Sequence, residues 1–148
     1  MKKNYLFLLL AFFCLAFTSC GDDDEPTPDT RSLLVNKNWI YTAYTATDGT
    51  RTEDYFNNAE PCNQDDIWRF EDNGYYQMNE GATKCDATYA QIYETGIWEL
   101  TGNTLTIINS GNELVCTIEE ISTTTLKLNF TQQSQGLRIK YNLTFSNQ

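Results

Sequence analysis

From residue 38 to its end, the chain alternates apolar and polar residues with a period of two. Leu126, Leu128 and Phe130 alternate with Lys127 and Asn129; Leu137, Ile139, Tyr141, Leu143 and Phe145 alternate with Arg138, Lys140, Asn142 and Thr144. Successive side chains point to opposite faces of a strand, so this rhythm buries one face and wets the other. A helix with its 3.6-residue period cannot use such a pattern. Tyr, Thr, Ile, Trp and Phe recur through the same region, as a half-buried pleated surface prefers. The chain is all-β.

The alternation predicts eight strands. Arg31–Asn38 forms a short helix or turn before the first, Trp39–Thr45, with Trp39, Tyr41 and Ala43 on one face. A polar loop covers residues 47–64, and Asp66–Glu71 follows with Trp68 and Phe70 on one side. Asp72-Asn73-Gly74 is a hairpin turn, because Asn and Gly tolerate positive φ. Tyr75–Asn79 is third, and a longer loop over 80–91 leads to Ile92–Leu100, where Gly96 marks a bulge or kink. The remaining strands are Thr104–Ile108, Glu113–Ile121, Leu126–Thr131 and Leu137–Phe145, with a last turn at Gln132–Gly136. The sequons at Asn129 and Asn142 fall inside alternating runs and read as strand residues.

Consecutive antiparallel strands joined by short turns form a meander. Closing it into an up-and-down barrel removes both exposed edges. A two-sheet sandwich is the competing architecture, and it needs longer crossovers than these turns offer. An eight-stranded barrel holds one small ligand or fills with side chains.

Residues 1–19 read differently. Lys2 and Lys3 precede an apolar run of thirteen residues, Tyr5 to Phe17. That pattern is a secretory leader, shorter than the roughly 18 residues of a membrane span. Its end, Thr18-Ser19-Cys20, resembles the lipobox of bacterial lipoproteins. The resemblance implies cleavage before Cys20, acylation of its sulfur and new amino terminus, and membrane attachment through the acyl chains. Several chains at about 0.8 kcal/mol per buried CH₂ anchor stably, whereas one does not. The expected organisation is a signal peptide at 1–19, a lipidated Cys and acidic, Pro-containing linker at 20–30, and one barrel domain at 31–148. The tract Cys20-Gly21-Asp22-Asp23-Asp24 also resembles the acidic tag of surface-exposed lipoproteins of Bacteroidota. That implies the outer membrane, facing the cell surface; a solvated tether is the plainer reading of the same charges.

Composition excludes several functions. The full chain has a formal charge of −10, and losing Lys2 and Lys3 with the leader makes it −12. Such a balance disfavours nucleic acid and anionic lipid as partners. The chain has no histidine, which removes Ser-His-Asp and Cys-His catalysis, imidazole bases and His-based zinc sites. Phosphate-binding glycine loops, HExxH and CxxC are absent as well. No enzyme, metal or cofactor is expected, and the domain is expected to be a monomer.

Further segments carry a family resemblance. Asp65-Asp66-Ile67-Trp68-Arg69-Phe70 between Cys62 and Cys85, Thr95-Gly96-Ile97-Trp98, Asn103-Thr104-Leu105-Thr106-Ile107 and Thr125-Leu126-Lys127-Leu128 resemble the lipocalin-like lipoproteins of Bacteroidota. The resemblance spans roughly residues 33–146. It implies a lipocalin-like barrel that binds a small apolar or amphipathic molecule without catalysis. Alternatively, a filled barrel is only a scaffold, with loops contacting a glycan or a protein.

Beyond Cys20, the mature chain has Cys62, Cys85 and Cys116. An odd count in an exported protein predicts one disulfide and one thiol. Cys62 and Cys85 lie in loops flanking one hairpin and are expected to pair; Cys116, inside a strand, reads as a small apolar core residue. Trp68, Phe70, Trp98 and Tyr141 are the ligand-binding candidates, able to line a barrel opening or stack on a sugar ring. The plainer reading of the same residues is the core of a small all-β domain, Trp39 above all. The carboxylates Asp65, Asp66, Glu71, Asp72 and Glu80 could serve Ca²⁺ or acid–base chemistry, but no EF-hand spacing is present, and charges at turns read as solvated.

Overall fold

The computed structural model describes residues 29–148. The leader, Cys20 and the acidic tract lie outside the described residues. The elements are α1 (Thr30–Leu34), β1 (Trp39–Thr47), β2 (Thr52–Asp54), α2 (Tyr55–Asn58), β3 (Ile67–Phe70), β4 (Tyr75–Asn79), β5 (Ile92–Thr101), β6 (Thr104–Asn109), β7 (Asn112–Ile121), β8 (Thr125–Ser134) and β9 (Leu137–Asn147). Strands β1 and β3 to β9 pair antiparallel in sequence order, and β9 returns to β1 over eight residue pairs from Trp39↔Asn147 to Thr47↔Lys140. This is a closed eight-stranded antiparallel barrel with one extra strand.

The extra strand is β2, inside the segment expected to be a polar loop. It pairs with only three residues of β1, Thr45 to Thr47, and is fully exposed. No alternation marks it, because neither of its faces is buried.

Three bulges shift the side-chain frame. In β1 the register shifts between Tyr41 and Ala43, so Tyr44 rather than Ala43 follows Tyr41 inward. The expected inward set of Trp39, Tyr41 and Ala43 is therefore corrected at its last member, because a bulge moves the frame by one residue. A second bulge lies at Tyr93, between the pairs Met78↔Glu94 and Asn79↔Ile92, and a third between Ile118 and Glu120. Gly96 is a kink. A Cβ there would sit 2.3 Å from the Ile108 carbonyl oxygen, and β5 pairs with β6 only from Ile97 onward.

One end of the barrel is packed. Phe70, Leu105, Cys116, Leu126, Leu128 and Phe145 are buried beneath α1, together with Leu34 from α1 itself. Asp29 caps α1 through a 2.8 Å bond from Ser32 N–H to its Oδ1. Trp39 Nε1 donates to the Leu34 carbonyl at 2.9 Å, and Trp98 Nε1 donates to the Glu71 carbonyl at 3.0 Å. Arg31 lies 4.6 Å over the Trp98 ring and bonds Asp72 through both its carbonyl and its carboxylate. Asn36, at φ 57°, turns the chain from α1 into β1 and donates its N–H to the Phe70 carbonyl at 2.7 Å. Short turns at 71–74, 102–103 and 122–124 finish this end.

The opposite end carries the long connections at 48–66 and 80–91 and two tight hairpins. Ser110-Gly111 and Gln135-Gly136 all take positive φ, the conformation of a two-residue turn that matches strand twist. The last hairpin is thus tighter than the expected turn over 132–136, and β8 runs on to Ser134. Cys62 and Cys85 form a disulfide that ties the two long connections together. Cys116 is a buried free thiol, and burial pushes its pKa up to about 12.

Candidate functional site

At the end opposite α1 the barrel interior is hollow. A cavity of about 450 Å³ is walled by the rings of Tyr44, Trp68, Tyr76, Phe130 and Tyr141, by Met78, Ile107 and Leu114, and by the polar side chains of Glu94, Asn109 and Gln132. The alternation explains why these residues meet. Leu105 and Ile107 point inward along β6, and so does Asn109; along β8 the inward series is Leu126, Leu128, Phe130, then Gln132. In β5 the inward series runs Trp98, Gly96, Glu94 toward the open end. In all three strands it turns polar where it lines this cavity.

The aromatic wall is ordered. Phe130 and Tyr141, partners across β8 and β9, stack with centroids 4.7 Å apart and planes 14° from parallel. Tyr141 continues to Tyr44 at 6.2 Å. Tyr76 donates its hydroxyl to Glu94 Oε1 at 3.1 Å; burial first, and then the Glu94 charge, hold the Tyr76 phenol far above its ordinary pKa. Tyr76 therefore stays a neutral donor. Trp68 Nε1 is buried without a hydrogen-bond partner.

The sequence candidates divide between the two ends. Trp68 and Tyr141 stand in the cavity wall. Phe70 and Trp98 are buried in the packed end, in contact with each other at 5.8 Å in an edge-on arrangement, and do not reach the cavity. Tyr44, Tyr76, Phe130 and the polar trio were not singled out by sequence. The signal for them was the switch from apolar to polar along the inward face of each strand.

The carboxylate group is reorganised. Asp66 and Glu80 are 8% and 7% exposed, against the expectation of solvated turn charges. Asp65 Oδ2 accepts from the N–H groups of Ala82 and Thr83, and Glu80 Oε2 accepts from Cys85 N–H, so both hold the 80–91 loop. Asp66 Oδ2 accepts the Tyr93 hydroxyl at 2.7 Å. Glu71 and Asp72 pair with Arg69 and Arg31. Among the described residues no group of three or more acidic or Cys side chains is arranged to hold a metal.

No curated protein matches the chain. The crystal structure of a lipocalin-like protein from Bacteroides uniformis ATCC 8492 aligns with a TM-score of 0.49 at 14% identity, covering 77% of this chain and 97% of that one. The model of the lipocalin-like domain matches residues 35–128, well over half of the chain, from the end of α1 to the middle of β8. The chain therefore belongs to the lipocalin-like domain family.

Proposed function

We propose that the open half of the barrel binds a small amphipathic molecule, without catalysis, in a protein held at the cell envelope by acyl chains on Cys20. The observation that carries the binding reading is the 450 Å³ cavity with rings on its wall and Glu94, Asn109 and Gln132 at its polar level. Ligand pockets combine apolar walls with a few placed polar groups at volumes of about 300–1,000 Å³. The ligand's apolar body packs against Phe130, Tyr141 and Tyr44, and its polar end meets the donors and acceptors of the rim. A scaffold with a filled interior, bound to a glycan or a protein through its loops, has no use for such a hollow.

The anchor rests on the sequence alone: a positive start, an apolar run too short to span, and Thr18-Ser19-Cys20 before an acidic tract. In this reading the protein sits on the outer membrane and faces the cell surface. The chain enters the barrel at its packed end through α1.

Native mass spectrometry of residues 21–148, incubated with a lipid extract of a Bacteroidota cell envelope, tests the binding. Retained small-molecule mass that is lost on unfolding, and lost in a Leu114→Trp variant that fills the cavity, is the expected result. Equal retention by Leu114→Trp and the parent would overturn it. Mass spectrometry of the full chain expressed in a Bacteroidota host tests the anchor. Acyl mass on Cys20 is expected, and an unmodified Cys20 would contradict it.

A further inference from the structure

The barrel seam opens a second cavity. Strand β1 pairs with β3 through only two residue pairs, Trp39↔Trp68 and Ile40↔Ile67. Beyond Ile40, α2 packs against β1, and the segment leading to Cys62 follows it. Between them lies a cavity of about 350 Å³, walled by Tyr41, Tyr44, Tyr55 and Phe56 and lined also by Asp66. The rings are mutually ordered, with Tyr44 and Tyr55 stacked at 5.2 Å and Tyr41 and Tyr44 at 6.0 Å.

Asp66 is out of place in such a wall. It is more than nine-tenths buried, one oxygen is engaged by Tyr93, and the other, Oδ1, is buried with no partner. None of the four ion pairs among the described residues involves it. Its charged neighbours, Asp65 and Glu80, have the same sign and raise its pKa further beyond the effect of burial. A buried carboxylate with an unpaired oxygen calls for a cation bearing N–H donors, and the negative faces of aromatic rings attract the same charge.

We propose that this side cavity is a second binding site, for a protonated arylalkylamine whose ring packs among Tyr41, Tyr44, Tyr55 and Phe56 and whose ammonium bonds Asp66. The site is separate from the barrel cavity and independent of the reading given for it; Tyr44 is the wall the two share. The carboxylate selects the charge, the rings select the body, and α2 supplies Tyr55 and Phe56 to the wall.

Calorimetric titration of residues 21–148 with tryptamine, 3-ethylindole and indole-3-propionate tests the proposal. Tryptamine is expected to bind at least about tenfold more tightly than the neutral and acidic analogues of the same ring. Asp66→Asn, which keeps an acceptor for Tyr93, removes that preference. Ala59→Phe fills the side cavity and abolishes tryptamine binding, while Leu114→Trp in the barrel cavity leaves it intact. Equal binding of the three compounds, no tryptamine binding, or a preference that survives Asp66→Asn would each overturn the proposal. Loss of tryptamine binding in Leu114→Trp with retention in Ala59→Phe would place the amine in the barrel cavity and overturn it too.

Discussion

The two ends of this barrel are made from the same strands and the same alternation, yet they do opposite things. At the α1 end the inward residues are Phe70, Leu105, Leu126, Leu128 and Phe145, packed to exclusion of solvent. At the other end the same strands present Glu94, Asn109 and Gln132 between rings, and a hollow remains. The three tryptophans summarise the difference. The indole N–H groups of Trp39 and Trp98 are both paired with backbone carbonyls near the packed end, while that of Trp68 in the cavity wall is unpaired. One end is closed by packed side chains and paired indoles, and the other keeps a hollow with polar side chains on its wall.

The contrast can be broken most forcefully at the packed end. Phe70→Ala empties a fully buried position and is expected to destabilise by about 3–5 kcal/mol in denaturant unfolding. Phe130→Ala, already facing a hollow, is expected to cost less than half as much. Similar losses at both positions would mean that the two ends are equally packed.

The disulfide comes next. Cys62 and Cys85 are 23 residues apart, so the double Cys→Ser variant is expected to lose about 3 kcal/mol in the chain-entropy picture. Hydrogen exchange should quicken in the 48–66 and 80–91 connections and stay unchanged around α1. Faster exchange throughout the packed end would show that the staple supports the whole barrel rather than its open end.

Asp66→Asn is expected to act in the opposite direction. Burial, with help from Glu80 and Asp65 and against the Tyr93 hydroxyl, raises the Asp66 pKa in the folded state. A raised carboxyl favours the fold while protonated, so that stability is present below the unfolded pKa and lost as pH rises through the folded one. Asn removes the buried charge. A gain of about 1–2 kcal/mol is expected at pH 7, shrinking toward pH 3, where Asp66 is protonated in both states. Destabilisation at pH 7 would indicate that the carboxylate is structurally paired.

The smallest effect is expected at the polar end of the β8 series. Gln132→Leu extends the apolar series of β8 by one inward position and is expected to change stability by less than about 1 kcal/mol. Its consequence should be a change in which ligands the cavity retains, read by native mass spectrometry. A retained ligand set unchanged by this substitution would separate the polar level from recognition.

Much of this was legible from the chain. Every barrel strand showed in the period-two pattern, because each buries one face, and Cys62 with Cys85 followed from their places in loops beside one hairpin. What stayed hidden had physical reasons. Strand β2 buries nothing and so has no pattern to read. The β1 bulge exchanges Ala43 for Tyr44 on the inner face, and a frame shift of one residue leaves no trace in composition. Asp66 reads as a turn charge until β1 and β3 are seen to part above it. Trp68 and Phe70 are alike in sequence, two residues apart on the same face, and only their height in the barrel separates wall from core.

The division of the interior is tested most directly by amide and side-chain NMR during titration with N-phenyl-1-naphthylamine, a neutral amphipathic ring compound. Saturable shifts are expected at inward residues of the open half, including Glu94, Asn109, Leu114, Phe130, Gln132 and Tyr141, with Leu105, Leu126 and Leu128 unmoved. Shifts confined to the outer faces of the strands, or none at saturating probe, would contradict it.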